Sequence, residues 1–196
     1  MTPTAPDPAD PARGFRALGE DDVWSGWLLR LSHGRFVDPA GQPFERDIVH
    51  HPGAVAVVAV DDRGTAWLVR QYRPAVGRAL LEIPAGTRDV DGEPPEATAR
   101  RELAEEAGLE AAHWELLLGT WNSPGISDQE TLIYLATGLS SIPARPDGVE
   151  EGYMTVETIH LDDVDALVAS GSLKDETTVL GLHLARQRLR RQGRSP

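Results

Sequence analysis

Residues 1–13, MTPTAPDPADPAR, carry no apolar period, and their proline, alanine and aspartate predict a disordered tail reaching to residue 21. From Asp22 the pattern turns β-prone over residues 23–31, 35–37 and 44–50. The turn Asp38-Pro39-Ala40-Gly41 between the last two predicts a hairpin. Residues 22–52 thus read as a small N-terminal β-region, in which Trp24, Trp27, Phe36 and Phe44 are expected as packing residues. The run AVAVVAV at residues 54–60 is almost wholly apolar, as expected of a strand covered on both faces. A turn at Asp61-Asp62-Arg63-Gly64 leads to a second strand at 66–72, and a third at 80–83 ends in Pro84-Ala85-Gly86. Three more strand-like runs lie at 114–121, 130–137 and 153–161. Two helices close the chain at 162–170 and 176–191, the second with Val179, Leu182, Ala185 and Leu189 as its apolar stripe. Strands mixed with a few helices predict a layered α/β domain over residues 53–192, with 193–196 as a loose end.

Between the third and fourth of these central strands lies GTRDVDGEPPEATARRELAEEAGL, residues 86–109. Prolines and acids at 93–96 suit a first helical turn, and Gly108 suits the left-handed residue beyond the last. The good helix formers between them predict a helix over 97–107. On it Glu102, Glu105 and Glu106 stand at i, i+3 and i+4, so their carboxylates share one face. Such charges repel, and Arg101 neutralises only part of the cluster. A divalent cation would remove the rest, and hard oxygen donors favour Mg²⁺, Mn²⁺ or Ca²⁺. An acidic run of this kind is ordinarily a solvated face. The complete spacing argues otherwise.

Glu93, seven residues, Arg101-Glu102-Leu103, one residue, Glu105-Glu106, one residue and Gly108-Leu109 resemble the signature of the Nudix hydrolases, G-x5-E-x7-R-E-U-x-E-E-x-G-U with U aliphatic. Six residues rather than five separate Gly86 from Glu93, and the extra one falls in the turn-forming run 89–92, where a loop absorbs it cheaply. The resemblance implies a Nudix-type α/β/α sandwich with a mixed sheet. It also implies that Glu102, Glu105 and Glu106 bind Mg²⁺, with Mn²⁺ as the alternative ion, joined by Glu93 and the carbonyl of Ala85. Arg101 would hold a helix glutamate in place, and Arg101 and Glu105 are counted with the catalytic residues.

Within the family, Pro124, sixteen residues beyond Gly108, and the runs HPGAVAVV and VRQYRPAVGRALLEIPAG look like the ADP-ribose pyrophosphatase subgroup. That likeness implies hydrolysis of ADP-ribose to AMP and ribose 5-phosphate. It makes Glu150, or Glu151 beside it, the loop acid that activates the attacking water. It also gives Arg73, Glu82, Arg46, Phe44 and Pro124 as substrate contacts, and a homodimer whose N-terminal β-regions cross between partners. The alternatives are a Nudix hydrolase of another NDP-sugar, such as ADP-glucose or GDP-mannose, and a non-catalytic ADP-ribose sensor of the same fold.

Composition narrows the partners. A formal charge of −12 over 196 residues argues against nucleic acid or an anionic membrane, while a diphosphate can still bind if cations bridge the charges. Cysteine is absent, so thiolate chemistry and disulfides play no part. No apolar run reaches a membrane span and no signal-peptide pattern opens the chain, so a cytoplasmic protein is expected.

Overall fold

The structure, a computed structural model, describes residues 12–143 and 151–193. The chain divides into two units, Met1–Pro52 with Asn122–Gln129, and Gly53–Trp121 with Glu130–Pro196. Among the described residues, no helix is long and apolar enough to cross a membrane.

The first unit is a three-stranded antiparallel sheet of β1 (Arg16–Ser25), β2 (Arg30–Val37) and β3 (Pro43–His50), in that order. Strand β1 begins inside the stretch expected as tail. Every residue of it except Gly19 is exposed, so it has no buried face to mark it in the sequence. Pairing with β2 and ion pairs to that strand, Arg30 with Asp22 at 2.6 Å and Arg35 with Asp21, hold it instead. The single run expected at 23–31 breaks into two strands at a turn closed by the Gly26 N–H on the Leu29 carbonyl, 2.8 Å. Trp24 and Trp27 are not packing residues within the chain, since they are 57% and 91% exposed. Phe36 and Phe44 do stack, with ring centroids 5.4 Å apart. The expected hairpin forms because Asp38 Oδ1 accepts from the N–H of Ala40 and of Gln42, at 2.9 and 2.8 Å, while Gly41 takes φ 86°. Residues 122–129 dock beside β3 through the Val49 N–H on the Ile126 carbonyl, 2.8 Å.

The second unit is built on β4 (Ala54–Val60), whose residues 55–60 are fully buried. Around it lie β5 (Thr65–Arg73), β6 (Arg78–Glu82), β7 (Ala85–Thr87), α1 (Pro95–Ala107), β8 (Leu109–Trp121), β9 (Glu130–Ser141), β10 (Thr155–His160), α2 (Val164–Ala169) and α3 (Glu176–Arg191). The sheet runs β10-β5-β4-β9-β8, with β6 on β5 and β7 on β4; only β4 and β9 pair parallel, so the sheet is mixed. Alternate residues of β4 feed two cores. Val55, Val57 and Ala59 meet Ala99 and Leu103 of α1, while Ala56, Val58 and Val60 join Val164 of α2 and Leu182, Ala185 and Leu189 of α3. Helices thus cover both faces, which is the expected α/β/α sandwich. Gly181 lets α3 approach closely, since a Cβ there would come within 3.0 Å of both Val58 and Ile83. Strand β8 starts at Leu109, five residues ahead of the expected run at 114, because Leu109 through His113 pair with β9 despite their weak strand character.

Candidate active site

Helix α1 opens at Pro95, a residue suited to the first turn, and stops at Gly108, whose φ of 63° turns its N–H onto the Ala104 carbonyl. Its apolar row, Ala99 and Leu103, enters the core, and the adjacent i, i+4 row of Thr98, Glu102 and Glu106 is buried with it. Glu102 and Glu106 are each only 7% exposed. Carboxylates so buried need partners. Glu106 Oε2 accepts from the Ala85 N–H at 2.9 Å. The Glu102 carboxylate lies over Gly86, where any Cβ would collide with it. Strand β7 brings Ala85 and Gly86 there by pairing with Ala56 and Val55 of β4.

Arg101 gathers the remaining acids. Its Nη1 donates to Glu102 Oε1 at 2.7 Å and to Glu105 Oε2 at 3.1 Å, and its Nη2 donates to Glu93 Oε2 at 3.4 Å. Burial works against the guanidinium charge, but the Glu93 and Glu105 bonds and the field of Glu102 outweigh it and push the pKa up. Glu93 is held low chiefly by the Thr98 hydroxyl, which donates to it at 2.9 Å; burial opposes this, and the hydrogen bond and charge of Arg101 add to the lowering. The extra residue before Glu93 is taken up by a turn in which the Glu93 N–H meets the Val90 carbonyl at 3.1 Å and Gly92 has φ 74°. Glu93 therefore reaches Thr98 and Arg101 of the helix despite the longer spacer. Thr98 is missing from the residues expected from the sequence, which does not show that its hydroxyl meets Glu93.

Arg73 and Glu82, expected as separate substrate contacts, are paired with each other. Arg73 Nη2 donates to Glu82 Oε2 at 2.6 Å and Nε to Oε1 at 3.0 Å. The Glu82 side chain is 6% exposed. Burial lowers the Arg73 pKa, yet the Glu82 hydrogen bond and the charges of Glu82, Glu106 and Asp175 leave it raised. The field of Glu106 ties this pair to the helix acids.

Phe44, Arg46 and Pro124 come together in the first unit. They line a cavity of about 350 Å³ with Phe36, Ile48, Ile126 and Asp128, and Arg46 Cζ stands 5.1 Å from the Phe44 ring centroid. Glu150 lies outside the described residues, and Glu151 opens a 3-10 turn, Glu151–Tyr153, ahead of β10.

Among the described residues, no three acidic or histidine side chains are already arranged around one point as metal ligands. The cation at the centre of Glu93, Glu102 and Glu105 is Arg101. The donor set nonetheless fits a hard divalent ion. It is all carboxylate oxygen, it sits over a glycine whose missing Cβ leaves the space, and it faces a backbone strand end that can add a carbonyl.

The NUDIX domain family matches residues 50–173. The chain is 38% identical over 169 residues to an ADP-ribose pyrophosphatase of Mycobacterium tuberculosis, covering 86% of this chain and 81% of that one. It is 35% identical over 167 residues to an ADP-ribose pyrophosphatase of Bacillus subtilis, covering 85% and 90%. A GDP-mannose pyrophosphatase of Yersinia pestis is 32% identical over 165 residues, 80% of each chain. The crystal structure of an ADP compounds hydrolase superposes with a TM-score of 0.81 over 93% of this chain and 97% of that one, at 22% identity, and so shares the fold.

Proposed function

Because the chain belongs to the Nudix family of hydrolases, we propose that it cleaves the diphosphate of ADP-ribose with water, releasing AMP and ribose 5-phosphate. The observation that carries this reading is the convergence of Glu93, Glu102 and Glu105 on Arg101, with Glu106 anchored beside them on the Ala85 amide.

Glu102, Glu105 and Glu106, with Glu93 and the Ala85 carbonyl, would hold Mg²⁺ or, in its place, Mn²⁺. Such an ion supplies charge neutralisation for the diphosphate and acidifies water. Arg101 holds Glu102 and Glu105 by charge-assisted hydrogen bonds. Glu150, with Glu151 as the alternative, takes the proton of the attacking water on a carboxylate oxygen as the water oxygen bonds to phosphorus and the bridging P–O bond breaks. Arg73 offers a permanently charged fork to phosphate or ribose, with Glu82 setting its orientation. Phe44 supplies a face for the base, Arg46 a charge near the nucleotide, and Pro124 a wall of the same cavity.

Residues 22–52 serve in this reading as the dimerisation and nucleoside-binding region of a cytoplasmic homodimer. The exposure of Val23, Trp24 and Trp27 supports a partner copy on that sheet. The similarity to GDP-mannose pyrophosphatases favours a second reading, in which another NDP-sugar is the substrate. A panel of NDP-sugars at equal Mg²⁺ in ¹⁸O-water separates the two. AMP released fastest from ADP-ribose, with one product labelled, is the expected result, and preference for a guanine or uridine sugar rejects it. Hydrolysis that stops on adding EDTA excludes the non-catalytic sensor.

A further inference from the structure

Between β6 and β7 the chain passes from one ladder to another. Glu82 is the last residue paired with β5, and Ala85 is the nearest one paired with β4. Ile83 stands between them, in neither ladder and only 1% exposed. A backbone N–H in such a place needs an acceptor, because leaving it bare in the core costs its whole lost hydration. Thr178, in the first turn of α3, provides one: its Oγ1 accepts from the Ile83 N–H at 3.0 Å.

The hydroxyl is itself fixed. Thr178 is fully buried and donates to Asp175 Oδ2 at 2.7 Å, and the same oxygen accepts the Thr178 N–H at 2.7 Å as the cap of the helix. The single hydroxyl proton is thereby committed to Asp175, and a lone pair is left for Ile83. Donating to an acid polarises the hydroxyl and strengthens it as an acceptor. Gly181, three residues on, allows the approach that puts Thr178 within reach, since a Cβ there would come within 3.0 Å of the Ile83 side chain.

The residues after Ile83 meet the acids of α1, which covers the other face of the sheet. Pro84 has no N–H, and its carbonyl accepts from the Val57 N–H of β4 at 2.8 Å. The Ala85 N–H donates to Glu106 Oε2 at 2.9 Å, and Gly86 lies against the Glu102 carboxylate. Residues 83–86 are thus held in turn by α3, by β4 and by two glutamates of α1. We propose that Thr178, braced by Asp175, is a positioning residue that acts through the Ile83 amide to set residues 83–86 against Glu106 and Glu102. Helix α3 then bears on the metal-binding acids from the far side of the sheet. This rests on the reading that those acids hold a divalent ion.

The test compares wild type with Thr178→Val, which keeps the shape and loses the hydroxyl, and with Thr178→Ser, which restores it. Leu182→Ala, in the same helix but outside the relay, serves as the control for lost stability alone. In Thr178→Val the Mg²⁺ concentration for half-maximal turnover is expected to rise and kcat to fall, each by about tenfold, as when a group supporting a metal ligand is lost. KM for ADP-ribose at saturating Mg²⁺ should hardly move, and Thr178→Ser should return both quantities to near wild type. Leu182→Ala should unfold more easily with its Mg²⁺ dependence unchanged. If Thr178→Val behaves as Leu182→Ala does, Thr178 only caps a helix and the proposal is overturned. Failure of serine to rescue, or an equal Mg²⁺ shift in Leu182→Ala, overturns it too.

The amide resonances of Ile83 and Ala85 in metal-free protein give a readout without turnover. Both should shift in Thr178→Val and return in Thr178→Ser; a displaced Ile83 amide beside an unmoved Ala85 amide breaks the coupling. Absence of ADP-ribose turnover by wild type would strike the functional reading alone, since these two resonances still decide the positioning. Should Thr178→Val fail to fold, Asp175→Asn leaves the hydroxyl with a weaker acceptor and is judged by the same pair of resonances.

Discussion

A methyl group at residue 86 would overlap the Glu102 carboxylate, so the glycine is required by close approach and not by backbone angle. Gly86→Ala is therefore expected to displace Glu102 and to lower kcat and Mg²⁺ affinity by more than about tenfold, as when the support of a metal ligand is disturbed. A Mg²⁺ titration of turnover checks it, and an unchanged activation constant would show that Glu102 does not bind the ion. Glu106→Gln keeps shape while removing one charge. The amide can still turn an oxygen toward the Ala85 N–H, so the fold should persist while turnover falls by about a hundredfold or more. Circular dichroism and AMP release measured on one sample separate the two effects, and a wild-type rate would remove Glu106 from the site. At this scale the acids were legible because their spacing repeats a helical turn. Thr98 was not, since a lone hydroxyl in a helix ordinarily says nothing until the loop acid it bonds is in view. The Arg73–Glu82 pair was hidden for a related reason: sequence gives two strand residues nine apart but not the hairpin that faces them together.

Elements were legible in proportion to how much of their surface is buried. Strand β4 announces itself because both faces enter a core, and α3 because its stripe of Leu182, Ala185 and Leu189 fills one. Strand β1 did not, because its stability comes from backbone pairing and surface ion pairs that leave no apolar period. Strand β7, three residues long, is too short to leave a period in the sequence, though it is the strand that sets Ala85 and Gly86 beside the glutamates. If burial is what specifies α3, Leu182→Ala should cost about 2–5 kcal/mol in urea unfolding, the range for truncating a fully buried leucine. A change below about 1 kcal/mol would mean that the helix is held chiefly by its ends.

Across the whole molecule the acids outnumber the bases by twelve, and several are bound to cations or amide donors that exist only in the folded chain. Glu93 on Thr98 and Arg101, Asp128 on the His51 amide and His50, Asp165 on Arg186 and Glu157 on Arg70 are all shifted down by such partners. A carboxylate whose folded pKa is depressed binds its proton more readily in the unfolded chain. It therefore contributes stability above the unfolded values, 4.5 for Glu93 and Glu157 and 3.8 for the two aspartates, and that stability is lost as pH falls through the lower folded values. The pairs outside the active site are largely exposed, so each is screened and small. Their shared direction still fixes the sign of the whole curve in acid. The urea midpoint should stay level down to about pH 5 and then fall steadily toward about pH 3, with the active-site acids adding to the loss. Glu93→Gln should flatten part of that fall, because a side chain without a proton to gain cannot report it. An acid limb of equal steepness in wild type and variant would mean that Glu93 is no better held in the folded protein than in the unfolded one, and with it would go the reason for placing that acid beside Arg101.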